Sequence, residues 1–267
     1  MQITSAMKMV SAAKLKKAQD AITAMRPYAD KLTELLQNLS ATLDADSWSK
    51  YSEQREIKNV LLVAVTSNSG LCGAFNSNII KQANLVAERY DANVSVVAIG
   101  KKANDALSKN FEVISNQIAV YDELTFDNVA EIAEMLMEKF ESKAVDKIEI
   151  IYNKFKNAAT QEIMTEQFLP IEPLEGDTNT NLDYIFEPSK EEIVETLIPK
   201  SLKTQLFKAI RDSFASEHGA RMTAMHKATD NATELRDQLK LTYNKARQAA
   251  ITNEILEIVG GAEALNG

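Results

Sequence analysis

Apolar positions at both ends of the chain recur at alternating steps of three and four residues, a spacing that predicts long helices with coiled-coil seams. Near the N-terminus the series is Leu15, Ala18, Ile22, Met25, Ala29, Leu32, Leu36, Leu39 and Leu43. Near the C-terminus Leu235, Leu239, Thr242, Ala246, Ala249, Asn253 and Leu256 keep the same rhythm. The first helix is expected from about Ile3 to about Leu43, with Pro27 inside it as the source of a kink. The last is expected from Lys190 to Ile258, interrupted at most by Pro199 and Gly219 and stopped at Gly260-Gly261. One chain with a seam at each end can fold the two helices into an antiparallel rod.

The middle follows another pattern. Ile57–Thr66 is a continuous apolar run, as for a parallel strand buried on both faces. A helix over Ala74–Tyr90 comes next, then a strand over Asn93–Ile99, a short helix over Lys101–Lys109 and a weak strand over Glu112–Val120. A helix over Asp127–Glu141, a strand over Asp146–Asn153 and an antiparallel edge strand over Gln161–Leu169 complete the series. This alternation predicts a three-layer α/β unit. The fold class is therefore α/β: a long antiparallel coiled coil of the N- and C-terminal helices plus a central Rossmann-like α/β domain. The expected divisions are an N-terminal shaft helix over 1–55, the α/β domain with its linker over 56–188, and a C-terminal shaft helix over 189–267. Pro170 to Pro188, rich in turn formers, is the linker.

The helices differ in length. At 1.5 Å per residue the first spans roughly 60 Å and the last roughly 100 Å, so the C-terminal helix should overshoot its partner. The overshoot carries Ile251, Ile255, Leu256, Ile258 and Val259, an apolar surface that something outside the chain should cover.

Composition agrees with long helices, since 267 residues include only 8 Gly and 5 Pro. No apolar run approaches the roughly 20 residues of a membrane span. The single cysteine, Cys72, rules out an internal disulfide and suits a reducing compartment. Met1 leads into helix-like sequence with no signal segment, so a soluble intracellular chain is expected. The net charge of -8 is uneven. Lys8, Lys14, Lys16, Lys17 and Arg26 face only Asp20 in the first 27 residues, and the stretch from Lys240 to Ile251 holds Lys240, Lys245 and Arg247 with no acid. In an antiparallel rod these stretches are expected to meet at one end, as a tip facing an acidic partner. Nucleic acid fits poorly, because the acidic remainder repels it and no aromatic residues interleave with the basic ones.

A catalytic constellation is hard to assemble. Ser67–Ala74 occupies the place of a nucleotide loop but lacks both the G-x-G-x-x-G spacing and the Walker lysine, so Gly70 and Gly73 read as turn and close-packing residues. Cys72 reads as a small buried hydrophobe. His218 and His226 lie roughly 12 Å apart along one helix, too far to share a metal. Met7, Met9, Met222 and Met225 read as packing at a helix seam. No cofactor and no metal are expected.

Ile3–Gln19, Arg26–Asp30, Thr66–Asn76, Ile185–Pro188, Ala215–Ala232 and Leu241–Ala262 each resemble, in order, a block of the gamma subunit of the F-type ATP synthase. The resemblance implies the non-catalytic central shaft of a rotary motor. It implies alpha and beta subunits as a surrounding hexamer, an epsilon subunit beside the α/β domain and a c-subunit ring below, on the cytoplasmic face of a bacterial inner membrane without direct insertion. Contacts to beta are implied at Arg221, Arg247, Gln248, Thr252 and Glu254, with Lys14, Lys16 and Lys17 in the same basic band. Ring contacts are implied at Tyr184 and Glu187. The family carries a further helical stretch ahead of the block at Ile3, which would shorten the overshoot, and Gly219 replaces a helix-favouring residue and should soften the helix by about 1 kcal/mol relative to Ala. Two other classes fit the residues alone: a nucleotide-binding enzyme with a dimerising coil, and a coiled-coil tether.

Overall fold

A computed structural model describes residues 2–40, 51–171 and 190–266. Its elements, in chain order, are α1 (Gln2–Ser40), β1 (Asn59–Val65), α2 (Phe75–Ala87), β2 (Asn93–Ile99), α3 (Lys101–Leu107), β3 (Glu112–Gln117), α4 (Phe126–Glu141), β4 (Lys147–Phe155), β5 (Gln161–Leu169) and α5 (Lys190–Asn266). The sheet order is β3-β2-β1-β4-β5. β1 pairs in parallel with both β2 and β4, β2 pairs in parallel with β3, and β5 runs antiparallel to β4.

The apolar run of β1 is buried on both faces because helices cover both. Val60, Leu62 and Ala64 point to the layer of α2 and α3, where they meet Ile79, Ala83, Val86, Ala103 and Leu107. Leu61, Val63 and Val65 point the other way, toward Ile132, Leu136 and Phe140 of α4 and Ile198, Leu202, Leu206 and Ile210 of α5. The helix expected as a separate shaft therefore supplies a layer of the α/β core. The division at residue 189 separates α5 from the sheet in sequence, not in packing. β5 falls at the expected edge, and α4 starts where Thr125 caps it by accepting from the Asn128 amide at 3.3 Å.

α1 lies antiparallel on α5. The hydroxyls of Thr4 and Thr229 meet at 2.8 Å, while the Lys200 ammonium sits 5.9 Å from the centre of the Tyr28 ring. Leu15, Ala18, Ile22, Ala29 and Leu32 are buried, so the N-terminal seam is real. Leu15, Ala18 and Ile22 pack with Ala215, Phe214 and Met222. α1 continues through Pro27, and α5 through Pro199 and across Gly260-Gly261, where a stop was expected. A helix already formed on both sides tolerates one missing donor or a flexible residue, and a Cβ at either glycine would meet nothing within 4 Å among the described residues.

The C-terminal seam differs from expectation. Leu235 and Leu239 are exposed, as are Ala246, Ala249 and Asn253. Docking of α5 on the sheet sets its register, and this places α1 against residues up to Thr229 rather than against the later heptads. From there to Asn266 α5 projects roughly 55 Å beyond its partner. Leu241, Tyr243, Ile255, Leu256 and Ile258 on that projection are more than half exposed.

Candidate functional site: a clasped shaft and its free end

Two regions of α5 carry the functional geometry. The first is the stretch from Gln205 to Thr223, fastened to the α/β domain by side chains that donate to backbone carbonyls. Gln205 Nε2 reaches Gln167 O at 3.1 Å, Arg211 reaches Leu124 O at 2.8 Å and Ser216 Oγ reaches Asn153 O at 2.9 Å. Arg221 reaches Ser69 O at 3.0 Å, and Thr223 Oγ1 reaches Ala158 O at 3.1 Å. Gly219 lies against the β4–β5 turn, where an added Cβ would stand 3.2 Å from both Cα and O of Ala158. Its missing side chain permits contact, a reason the sequence did not disclose when it suggested local softening.

Arg221 differs most from expectation. It is only 8% exposed, and its guanidinium holds Glu217 one helical turn back and the carbonyls of Ser69 and Gly70. Those carbonyls belong to the loop that a nucleotide-binding domain would use for phosphate. Here the loop faces an internal cation with acceptors, the reverse of the N–H cradle that a phosphate needs. Gly73, at φ +60°, makes the turn, and Leu71 adopts φ +64° beside it. Gly70 meets nothing within 4 Å, so it is not a close-packing residue. Cys72 is buried as expected, its thiol pushed up by burial.

Around Arg221 lies a cleft of about 460 Å³ bounded by α1, α5 and this loop, lined among others by Met7, Lys14, Tyr121, Glu217 and His218. Burial pushes the Glu217 carboxyl up, although Arg221 pulls it down. His218 stands edge-on to Phe214, with ring centres 4.5 Å apart. Burial, with Arg221 and Lys14 adding repulsion, lowers it to about 4, so it stays neutral at pH 7. His226 is exposed beside Asp230, at 3.3 Å. Among the described residues no group of three or more His, Cys, Asp or Glu is placed to hold a metal ion.

The second region is the free end. Arg247, Gln248, Thr252 and Glu254 are exposed there, with Thr252 Oγ1 donating to Gln248 O at 2.9 Å. Lys14, Lys16 and Lys17 are exposed on α1. The two basic stretches do not meet: Lys14 faces His218 and Glu217, and Arg247 lies roughly 45 Å farther along α5. The register imposed by the sheet separates them, so Arg221 joins Lys14 while Arg247 stands apart. Tyr184 and Glu187 lie outside the described residues. Sequence reasoning missed Gln205, Arg211, Ser216 and Thr223. Polar residues at helical spacing are the only signal they leave, and a solvated face gives the same one.

A small α/β domain fastened to the flank of a long helix that runs on past it defines a shaft-bearing stalk protein. The family described as ATP synthase matches residues 1–265. The chain is 75% identical to the ATP synthase gamma chain of Flavobacterium psychrophilum and 74% identical to that of Flavobacterium johnsoniae. Each match spans 100% of this chain and 94% of the relative. Its fold is similar to a chain of the central stalk and c-ring of the Tetrahymena thermophila mitochondrial ATP synthase. The TM-score is 0.67 at 26% identity, over 85% of this chain and 99% of that one. The chain belongs to the ATP synthase gamma chain family.

Proposed function

We propose that the chain is the central-stalk rotor of a proton-translocating ATP synthase, a non-catalytic subunit peripheral to the cytoplasmic face of a bacterial inner membrane. The observation that carries this is the free end of α5, an intact helix whose apolar residues are exposed among the described residues. Such a surface is stable only when enclosed, and a ring of alpha and beta subunits encloses it. An asymmetric rod gripped by three like catalytic subunits holds them in three different states. Its rotation, driven by the c-subunit ring, interconverts those states and so governs ATPase activity and proton flow. Among the described residues no helix is long and apolar enough to cross a membrane. The shaft helices and the domain between them, divided at 55 and 188, act as shaft and foot, with epsilon beside the foot.

In this reading Arg247, Gln248, Thr252 and Glu254 meet beta near the tip. Lys14, Lys16 and Lys17 meet it lower down, and Tyr184 and Glu187 meet the ring. Arg221 serves this surface from within, by holding the loop and Glu217. A guanidinium enclosed by a hexamer is screened less than one in water. Replacing Arg247 and Gln248 together by alanine should lower ATPase turnover of the assembled complex by about tenfold, equivalent to about 1.4 kcal/mol of barrier. Turnover and subunit stoichiometry measured on the same preparation decide it. Full activity in a complete complex would place the coupling contacts elsewhere.

A further inference from the structure

The five carbonyl fasteners of α5 are distributed around the helix as well as along it. At roughly 100° per residue, Gln205, Ser216 and Thr223 share one line, within about 20° of each other. Arg211 lies about 120° to one side of that line and Arg221 about 160° to the other. Their acceptors come from separate parts of the domain: Gln167 at the end of β5, Leu124 before α4, Asn153 in β4, Ala158 in the β4–β5 turn and Ser69 in the β1–α2 loop. A helix held along one line can roll in its groove. One held from three sides cannot roll without breaking bonds on a flank. Ser216 is fully buried, and Gly219 brings the helix axis close to the turn, so water cannot readily replace the central bonds. α1 meets this joint through apolar packing of Leu15, Ala18 and Ile22 with Phe155, Ala158 and α5.

We infer that Arg211, Ser216 and Thr223 are positioning residues that lock the rotational angle of the α/β domain to that of α5, so that torque enters the shaft through this joint and α1 acts as a brace. The inference rests on the rotor reading above. It assigns a mechanical role to groups that touch neither nucleotide nor the partner contacts proposed for the tip.

The test uses complexes assembled on a surface, with a bead fixed to the α/β domain and the shaft stalled inside the hexamer. In the variant Arg211→Leu/Ser216→Ala/Thr223→Val the angular variance of the bead should roughly double, because independent restraints acting in parallel are lost additively. A merely structural role would lower the yield of complexes but leave the variance of surviving ones unchanged, and that result overturns the inference. A second variant, Ala158→Cys/Thr223→Cys bridged by a short bis-maleimide, leaves the other fasteners in place, and Cys72, only 1% exposed, is protected from the reagent. This bridged complex should rotate and turn over at the unbridged rate. A rotor stopped by the bridge would show that the joint must move, which also overturns the inference. Failure of unmodified complexes to rotate at all would instead sink the rotor reading itself.

Discussion

The two halves of α5 belong to one continuous helix and carry similar apolar residues, yet they live in different solvents. Leu202, Leu206 and Ile210 are buried at 3%, 0% and 0% exposure, whereas Leu235, Leu239 and Leu241 stand at 56%, 60% and 64%. The first half closes a sheet, and the second, among the described residues, lies open. Hydrophobic periodicity shows that a helix face will be covered, and leaves open whether the cover comes from the same chain or from another.

The sharpest break between the halves is a leucine truncation. Leu206→Ala should cost about 2–5 kcal/mol of chain stability through lost transfer energy and the cavity left behind. Leu239→Ala in the free half should stay within about 0.5 kcal/mol. Urea unfolding of the two variants measures the contrast. A comparable loss at Leu239 would mean that the free half packs against something in the isolated chain.

Acid should loosen the clasped half first. The folded value of His218 lies below its ordinary one, so its contribution is present above about 6.5 and is lost as pH falls toward about 4, where the unfolded chain takes up the proton more readily. Its size is on the order of 3 kcal/mol. Glu217, raised by burial, works in the opposite sense, so the His218→Gln variant is needed to isolate the effect. Hydrogen exchange of amides around residues 214–222, corrected for intrinsic rates, should speed up across that window in the parent and change less in the variant. Equal pH dependence in both would assign the effect to other groups.

The smallest contrast compares glycines. Gly219→Ala gains helix propensity but drives a Cβ to 3.2 Å from the backbone of Ala158, which Thr223 holds in place. We expect a net loss of about 1 kcal/mol. Gly260→Ala meets nothing within 4 Å and should gain up to about 1 kcal/mol of local helix stability. Thermal unfolding reads the first and amide protection near residue 260 the second. A stabilised Gly219→Ala variant would show that the β4–β5 turn yields.

Much of this protein follows from local chemistry written along the chain. The apolar run at β1 reads as a strand covered on both faces, and β2 and β5 begin and end where their residues indicated. Leu15, Ala18 and Ile22 announced a seam that α1 does form. Arg247, Gln248 and Thr252, singled out by the block in which they stand, are exposed in the structure. Tertiary structure decided the rest, because it depends on register. Packing of Ile198, Leu202 and Leu206 against the sheet fixed how far α5 slides past α1, which separated Lys14 from Arg247 and left the late heptads uncovered. It also turned Arg221 inward, onto carbonyls more than a hundred residues away in sequence. Spacing along one helix reports which residues share a face, but only the packed sheet determines what that face meets.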